Sequence, residues 1–277
     1  MGRKRLFCEL GPTAYAISKK RLILKRRLKN LFSNDKFAKT FQLDKKLPEL
    51  ISTHSSNMIK RGPGIDPTLQ YNKADNIRLA CSKINGLIVN PGETFSFWFL
   101  VGETSKKNGF RDGRILRNGK LVAGSGGGLC NLANTLHLVI MHSPMTITEL
   151  HHHSDALAPD ENGVRVPYWA GTSVNYNYID LRFRNDTDQT VQIIAECNGD
   201  DLIAEFRASK PFNQTFRIVE EDHHFSKENN GKYYRKSKIY REIIDKNTGE
   251  IVGKELKWDN RSEVMYDYKL IPKNLIK

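Results

Sequence analysis

Residues 124–130 read Gly-Ser-Gly-Gly-Gly-Leu-Cys, and Cys130 opens an apolar run, Asn-Leu-Ala-Asn-Thr-Leu-His-Leu. Glycines allow positive φ and close backbone approach, and the free N–H groups of a helix start favour a thiolate over a thiol. This pattern predicts a nucleophile at Cys130, with the backbone of Gly126, Gly127, Gly128, Leu129 and Asn131 forming an oxyanion-holding loop. The plain alternative is a tight turn with Cys130 as a small buried hydrophobe. A base is available downstream in His151-His152-His153. Side chains of an extended segment alternate between faces, so His151 and His153 can serve one site while His152 points away. Asp180 is the first choice of orienting acid and Asp155 the second. A thiol, then histidine, then acid is the order of transglutaminase-like and papain-like cysteine enzymes, in which the imidazole takes the thiol proton and the acid holds the ring.

The same atoms allow a metal reading. Cys130, His151 and His153, with an aspartate or water, are ligands that zinc accepts. A glycine-flanked helix start explains a thiolate and adds nothing to zinc binding, so no metal is assigned. No cofactor is predicted either: the glycine run lacks the Gly-Lys-Ser/Thr of a phosphate-binding loop, and it is not a GxGxxG with an acid at the expected distance. His137 and His142 read as packed or capping residues, and His223-His224 as solvated.

Positioning these groups requires a particular set of elements. Leu132, Thr135, Leu136, Val139 and Ile140 recur at helical spacing until Ser143-Pro144 stops the helix. Before it, Arg114–Arg117 and Lys120–Val122 flank Asn118-Gly119, the dipeptide of a type I′ hairpin. A helix from Asn72 toward Asn85-Gly86 precedes a strand at Leu87–Val89. After the nucleophile helix, strands are predicted at residues 146–153, 172–183 and 190–196, joined by a polar loop at 155–163 and a turn at Asn185–Asp188. Phe95 and Phe97, two apart, read as core. The expected fold is α+β, an antiparallel sheet packed on a central nucleophile-type helix with a transglutaminase- or papain-like core. A basic helical N-terminal extension (1–65) precedes this core domain (66–210), and a C-terminal β-hairpin or meander extension (211–277) follows, with turns near Gly231 and Gly249.

The chain of 277 residues carries a formal charge of +13, much of it between Arg3 and Lys29. Between residues 3 and 32 these cations alternate with apolar residues at roughly helical spacing, which predicts peripheral contact with an anionic membrane surface. Nucleic acid is disfavoured, because no helix-turn-helix, zinc-finger or RNP signature accompanies the charge. No apolar run of about 18 residues exists, and no signal-type apolar core of about 7–15 residues opens the chain. The expected location is therefore cytoplasmic, at the inner face of the membrane. Four irregularly spaced cysteines (Cys8, Cys81, Cys130, Cys197) predict reduced thiols.

With these residues in hand, the chain resembles the VanW family. The resemblance rests on Asn90-Pro-Gly-Glu-Thr-Phe-Ser-Phe-Trp98, Asn118-Gly-Lys-Leu121, Ser125-Gly-Gly-Gly-Leu-Cys130, Glu149-Leu-His-His-His-Ser154 and Tyr178-Ile-Asp-Leu-Arg-Phe-Arg-Asn-Asp-Thr187. It covers about residues 72–207. Family members commonly have glutamine where Asn131 stands, arginine where Leu150 stands, and Asp-Ala-Thr where this chain has Gly171-Thr-Ser173; Asp180 is retained. The resemblance implies association with the cell envelope and glycopeptide resistance, and supplies no reaction. The working expectation is a Cys-His thiol hydrolase or acyl transferase acting on a peptidoglycan precursor or other cell-envelope peptide. The alternative is a non-catalytic precursor-binding or metal-binding module using the same pocket.

Overall fold

A computed structural model describes residues 6–62, 65–117, 120–153, 155–156, 159, 171–176 and 178–277. Two sheets and two helices enclose the principal core. α1 (Pro12–Leu31) starts with proline in its first turn, where a missing N–H costs nothing. α2 (Pro67–Cys81) starts the same way and is capped by Asp66, whose carboxylate accepts from the Thr68 N–H at 2.8 Å. The expected helical character of residues 1–60 holds for α1 but not beyond it. β1 (Lys36–Phe37), β2 (Thr40–Phe41) and β3 (Glu49–Asn57) are strands. β3 is rich in β-branched and small hydroxyl residues, and ladder pairing outweighs any local helical preference there.

The five-stranded sheet has the order β2-β4-β11-β12-β3 and is antiparallel throughout, with β4 (Leu87–Val89), β11 (Val191–Asn198) and β12 (Asp201–Ala208). Val191 to Ala195 are buried without alternation, as befits a central strand covered on both faces. The helix opened by Cys130, α4 (Leu129–Met141), lies over this sheet. Leu132, Ala133, Leu136 and Ile140 are buried, and Ser52 and Ser56 of β3 bond the Val139 carbonyl and the Asn131 and Thr135 side chains. Between these two helices in sequence comes the short α3 (Phe97–Val101).

A second sheet, β1-β5-β10-β8, uses β5 (Glu93–Ser96), β10 (Arg182–Arg184) and β8 (Thr146–Glu149); only β1 runs parallel to its neighbour. Phe95 and Phe183 stack across it at 4.7 Å, and Phe95 and Phe97 are both buried. The Asn185 turn closes as expected, its amide bonding the Val89 and Gln189 carbonyls. β6 (Asp112–Arg117) and β7 (Lys120–Ser125) pair up to Arg117 opposite Lys120; the Asn118-Gly119 turn lies outside the described residues.

The C-terminal meander is present as β13 (Gln214–Lys227), β14 (Tyr233–Asp245) and β15 (Ile251–Val264), all antiparallel. It packs against the core. β15 pairs in parallel with β9 (Asp155–Ala156), and Arg241 donates to the Ser143 carbonyl at 2.8 Å, just past the end of α4. The architecture is α+β, built from several antiparallel sheets and few helices. Cys8, Cys81, Cys130 and Cys197 are all free thiols.

Candidate functional site

The glycine run is dictated by steric fit. A Cβ on Gly127 would lie 2.3 Å from the Gly113 carbonyl carbon, backbone that no rotamer change relieves. Gly126 (φ +75°) and Gly128 (φ +105°) adopt backbone angles that disfavour other residues. Asn76 fixes the turn by donating to the Gly127 carbonyl at 2.9 Å. Three of the loop's N–H groups are already paired: Gly126 to the Arg111 carbonyl, Gly127 to Gly124 and Asn131 to Gly128. The Asn131 side chain is occupied by Ser56 and the Asn57 carbonyl, and Leu129 is core.

Cations converge where this turn meets α4. Lys73 of α2 packs against Gly128, and its pKa falls to about 8 through burial and the charges of Lys60 and Arg114. Among the described residues, none of the three lies within ion-pair distance of a carboxylate. Sequence reasoning missed this cluster because its members are 13 and 41 residues from Lys73 along the chain.

Cys130 occupies the first turn of α4. Its thiol donates to the Val174 carbonyl at 3.6 Å, and burial pushes its pKa above the ordinary thiol value. The helix face that it begins, with Asn134 and His137 one and two turns on, is covered by residues 171–174. His137 Nδ1 meets Thr172 Oγ1 at 2.9 Å, and the Thr172 N–H reaches Asn134. The covering segment is held by the triple histidine, since Ser173 donates to the His151 carbonyl and His153 donates to Gly171, both at 2.8 Å.

The strand expected over residues 146–153 ends at Glu149, and residues 151–153 carry only an isolated bridge from His152 to Thr172; among the described residues neither His151 nor His153 hydrogen-bonds Cys130. His151 Nε2 lies 3.0 Å from Glu149, which also takes a bidentate bond from Arg26 of α1. Burial raises the Glu149 pKa, but the bonds from His151 and Arg26 prevail and hold it at about 2. His152 stacks on Trp258 of β15, ring centroids 3.4 Å apart, and burial with three neighbouring imidazoles lowers its pKa to about 3. Burial lowers His153 too, with Asp155 opposing.

Asp180 serves the fold. It is 1% exposed and accepts from Ser96 Oγ (2.6 Å), Trp98 N–H (3.1 Å), its neighbour Leu181 N–H (3.0 Å) and Arg182 Nε (2.7 Å). No imidazole is among these partners. The carboxylate that meets His151 is Glu149, and the sequence signal for it was its position two residues before that histidine. Among the described residues, no group of three or more His, Cys, Asp or Glu side chains is arranged to hold a metal ion.

Comparison with known proteins gives this site a family context. Residues 72–207 match the family model "VanW like protein". The chain is 33% identical over 223 residues to the vancomycin B-type resistance protein VanW of Enterococcus faecalis, covering 80% of each. It is 28% identical over 147 residues to the uncharacterized protein YoaR of Bacillus subtilis, covering 53% of this chain and 46% of that one. No solved structure matches.

Proposed function

The chain belongs to the VanW family, and from that premise we propose that it contributes to glycopeptide resistance at the cell envelope by binding an acidic peptidoglycan-related peptide at the start of α4, without covalent catalysis. One observation carries the choice of ligand: Lys73, packed on Gly128, has Lys60 and Arg114 as its charged neighbours, and among the described residues no carboxylate lies within ion-pair distance of the three. Cations held that close, one of them shifted to about 8, are relieved by an anion, and a peptide carboxylate fits that need. Two further observations favour binding over catalysis. The Cys130 thiol is held protonated against Val174, and Asp180 is occupied by four donors.

The test is calorimetric titration with a soluble peptidoglycan-type peptide bearing a free C-terminal carboxylate. Lys73→Met should weaken binding about tenfold, the cost of one charge-assisted hydrogen bond, while Cys130→Ser should leave it unchanged. No binding by the wild-type chain, or equal binding by Lys73→Met, sinks the reading.

The second reading, a thiol hydrolase or acyl transferase with a transglutaminase- or papain-like core, is favoured by one feature, the seat of Cys130 in the first helical turn. It requires ligand binding to lift Val174 and admit His151 or His153. Its test is hydrolysis or acyl transfer that disappears in Cys130→Ser.

A further inference from the structure

A surface helix normally buries its apolar face and shows its charged face to water. α1 leaves an apolar stripe in water. At about 100° per residue, Ile17, Leu24, Leu28 and Leu31 fall within an arc of about 60°, and they are 53%, 58%, 46% and 75% exposed. Arg26 lies about 170° around the helix from the middle of that stripe. It is drawn inward by its bidentate bond to Glu149 and its bond to the Tyr178 carbonyl. Asn30, on the same inward side, accepts from Arg182 at 2.9 Å. Tyr15, Leu22 and Ile23 share that inward half of the helix, but the side-chain bonds that tie α1 to the core are those of Arg26 and Asn30, and they leave the stripe of Ile17, Leu24, Leu28 and Leu31 outward. Lys20 and Arg27 border one edge of the stripe and Arg21 and Lys25 the other, all exposed. No residue of α1 is buried.

We infer that the outward stripe of α1 is a docking surface for an anionic lipid bilayer, with Ile17, Leu24, Leu28 and Leu31 entering the acyl boundary and the bordering cations meeting lipid phosphates. Charge complementarity selects this occupant: the apolar band is flanked on both edges by positive charge, and no carboxylate lies between Pro12 and Leu31. A peripheral helix of this kind needs no membrane-crossing segment, and among the described residues no helix is long and apolar enough to cross. Because Arg26 bonds the carboxylate that also holds His151, docking sets the histidine segment on the inward side of α1, with the helix between it and the bilayer. That consequence rests on the envelope role proposed above; the docking itself does not.

The experiment is flotation of the full chain with phosphatidylcholine vesicles, with and without phosphatidylglycerol and free of any peptidoglycan component. The wild-type chain should float with the anionic vesicles only. The pair Leu24→Glu/Leu28→Glu should lose at least about tenfold in partitioning through lost apolar insertion. Lys20→Gln and Arg27→Gln should each lose up to about fivefold. All are surface changes, so an unchanged melting temperature verifies the fold. Flotation that ignores the glutamates, or that is equal on neutral vesicles, overturns the inference. So does sedimentation showing a wild-type dimer that the same glutamates dissociate, because the stripe would then serve a second copy. Vesicles without precursor and peptide without lipid keep failure here distinguishable from failure of the proposed function.

Discussion

The Cys130 thiol points at the Val174 carbonyl, 3.6 Å away across 44 residues of chain, instead of at an imidazole. A hydrogen bond to a carbonyl requires the proton to stay on sulfur, and burial works in the same direction. Cys197 differs. Its Sγ lies 3.8 Å from that of Cys81, it lines a cleft of about 580 Å³, and the hydrogen bond between the two thiols, with the charge of Arg78, lowers its pKa. Iodoacetamide should therefore label Cys197 before Cys130 at neutral pH, with Cys130 reacting only at clearly alkaline pH. Peptide mass mapping over a pH series reads this order. Faster labelling of Cys130 would restore the activated nucleophile that its helix-start position suggested.

Acid should weaken the fold through Glu149. Its folded pKa of about 2 lies below the unfolded value of about 4.3, so the unfolded chain takes up the proton first. Stability from this group is complete above pH ~4.3 and fades as pH falls toward about 2, a loss on the order of 3 kcal/mol. His152 adds an earlier phase. Folded, it stays neutral down to about 3, whereas the unfolded imidazole charges from about 6.5, so stability declines as pH falls below that value. Urea titrations should find that Glu149→Gln is less stable at pH 7 and less sensitive to acid below pH ~4. A variant as acid-sensitive as wild type would contradict the shift.

Replacing Asp180 tests whether it serves the fold or an imidazole. Asp180→Asn leaves the Arg182 guanidinium, 5% exposed, without its nearest anion. Removing one partner of a buried ion pair costs about 3–5 kcal/mol, and the lower end applies because Glu149 lies 3.7 Å from Arg182. Differential scanning calorimetry should record a marked drop in melting temperature. An unchanged melting temperature would return Asp180 to the list of orienting acids.

Gly127→Ala should be costlier than Gly199→Ala. The first sets a Cβ against the Gly113 and Arg114 backbone, whereas the second meets nothing within 4 Å and strains only its φ of +58°. Overpacking against backbone predicts about 3 kcal/mol or more, against about 1–2 kcal/mol for the left-handed φ. Chemical denaturation of the two variants compares them directly. Equal losses would mean that the β6–β7 hairpin moves aside.

Features set by neighbours in sequence were legible without coordinates. The periodic leucines of α4, the strand at Leu87–Val89, the Asn185 turn and the C-terminal meander all follow from spacing and turn chemistry, which act within a few residues. The glycine run before Cys130 was also legible as a place where only glycine fits. Its reason was not, because the atoms it avoids belong to Gly113, Thr104 and Lys73. The helical reading of residues 36–57 failed for a related reason: β3 is decided by its ladder with β12, about 150 residues away. Only the tertiary structure chose Glu149 over Asp180 as the carboxylate beside His151, brought Arg26 to it from 123 residues away, and turned the α1 leucines outward. It also set the state of Cys130, since desolvation depends on what covers a group and the covering residues 171–174 are remote in sequence. Local order determines which residues can do chemistry, and long-range burial and pairing determine which of them are left free to do it.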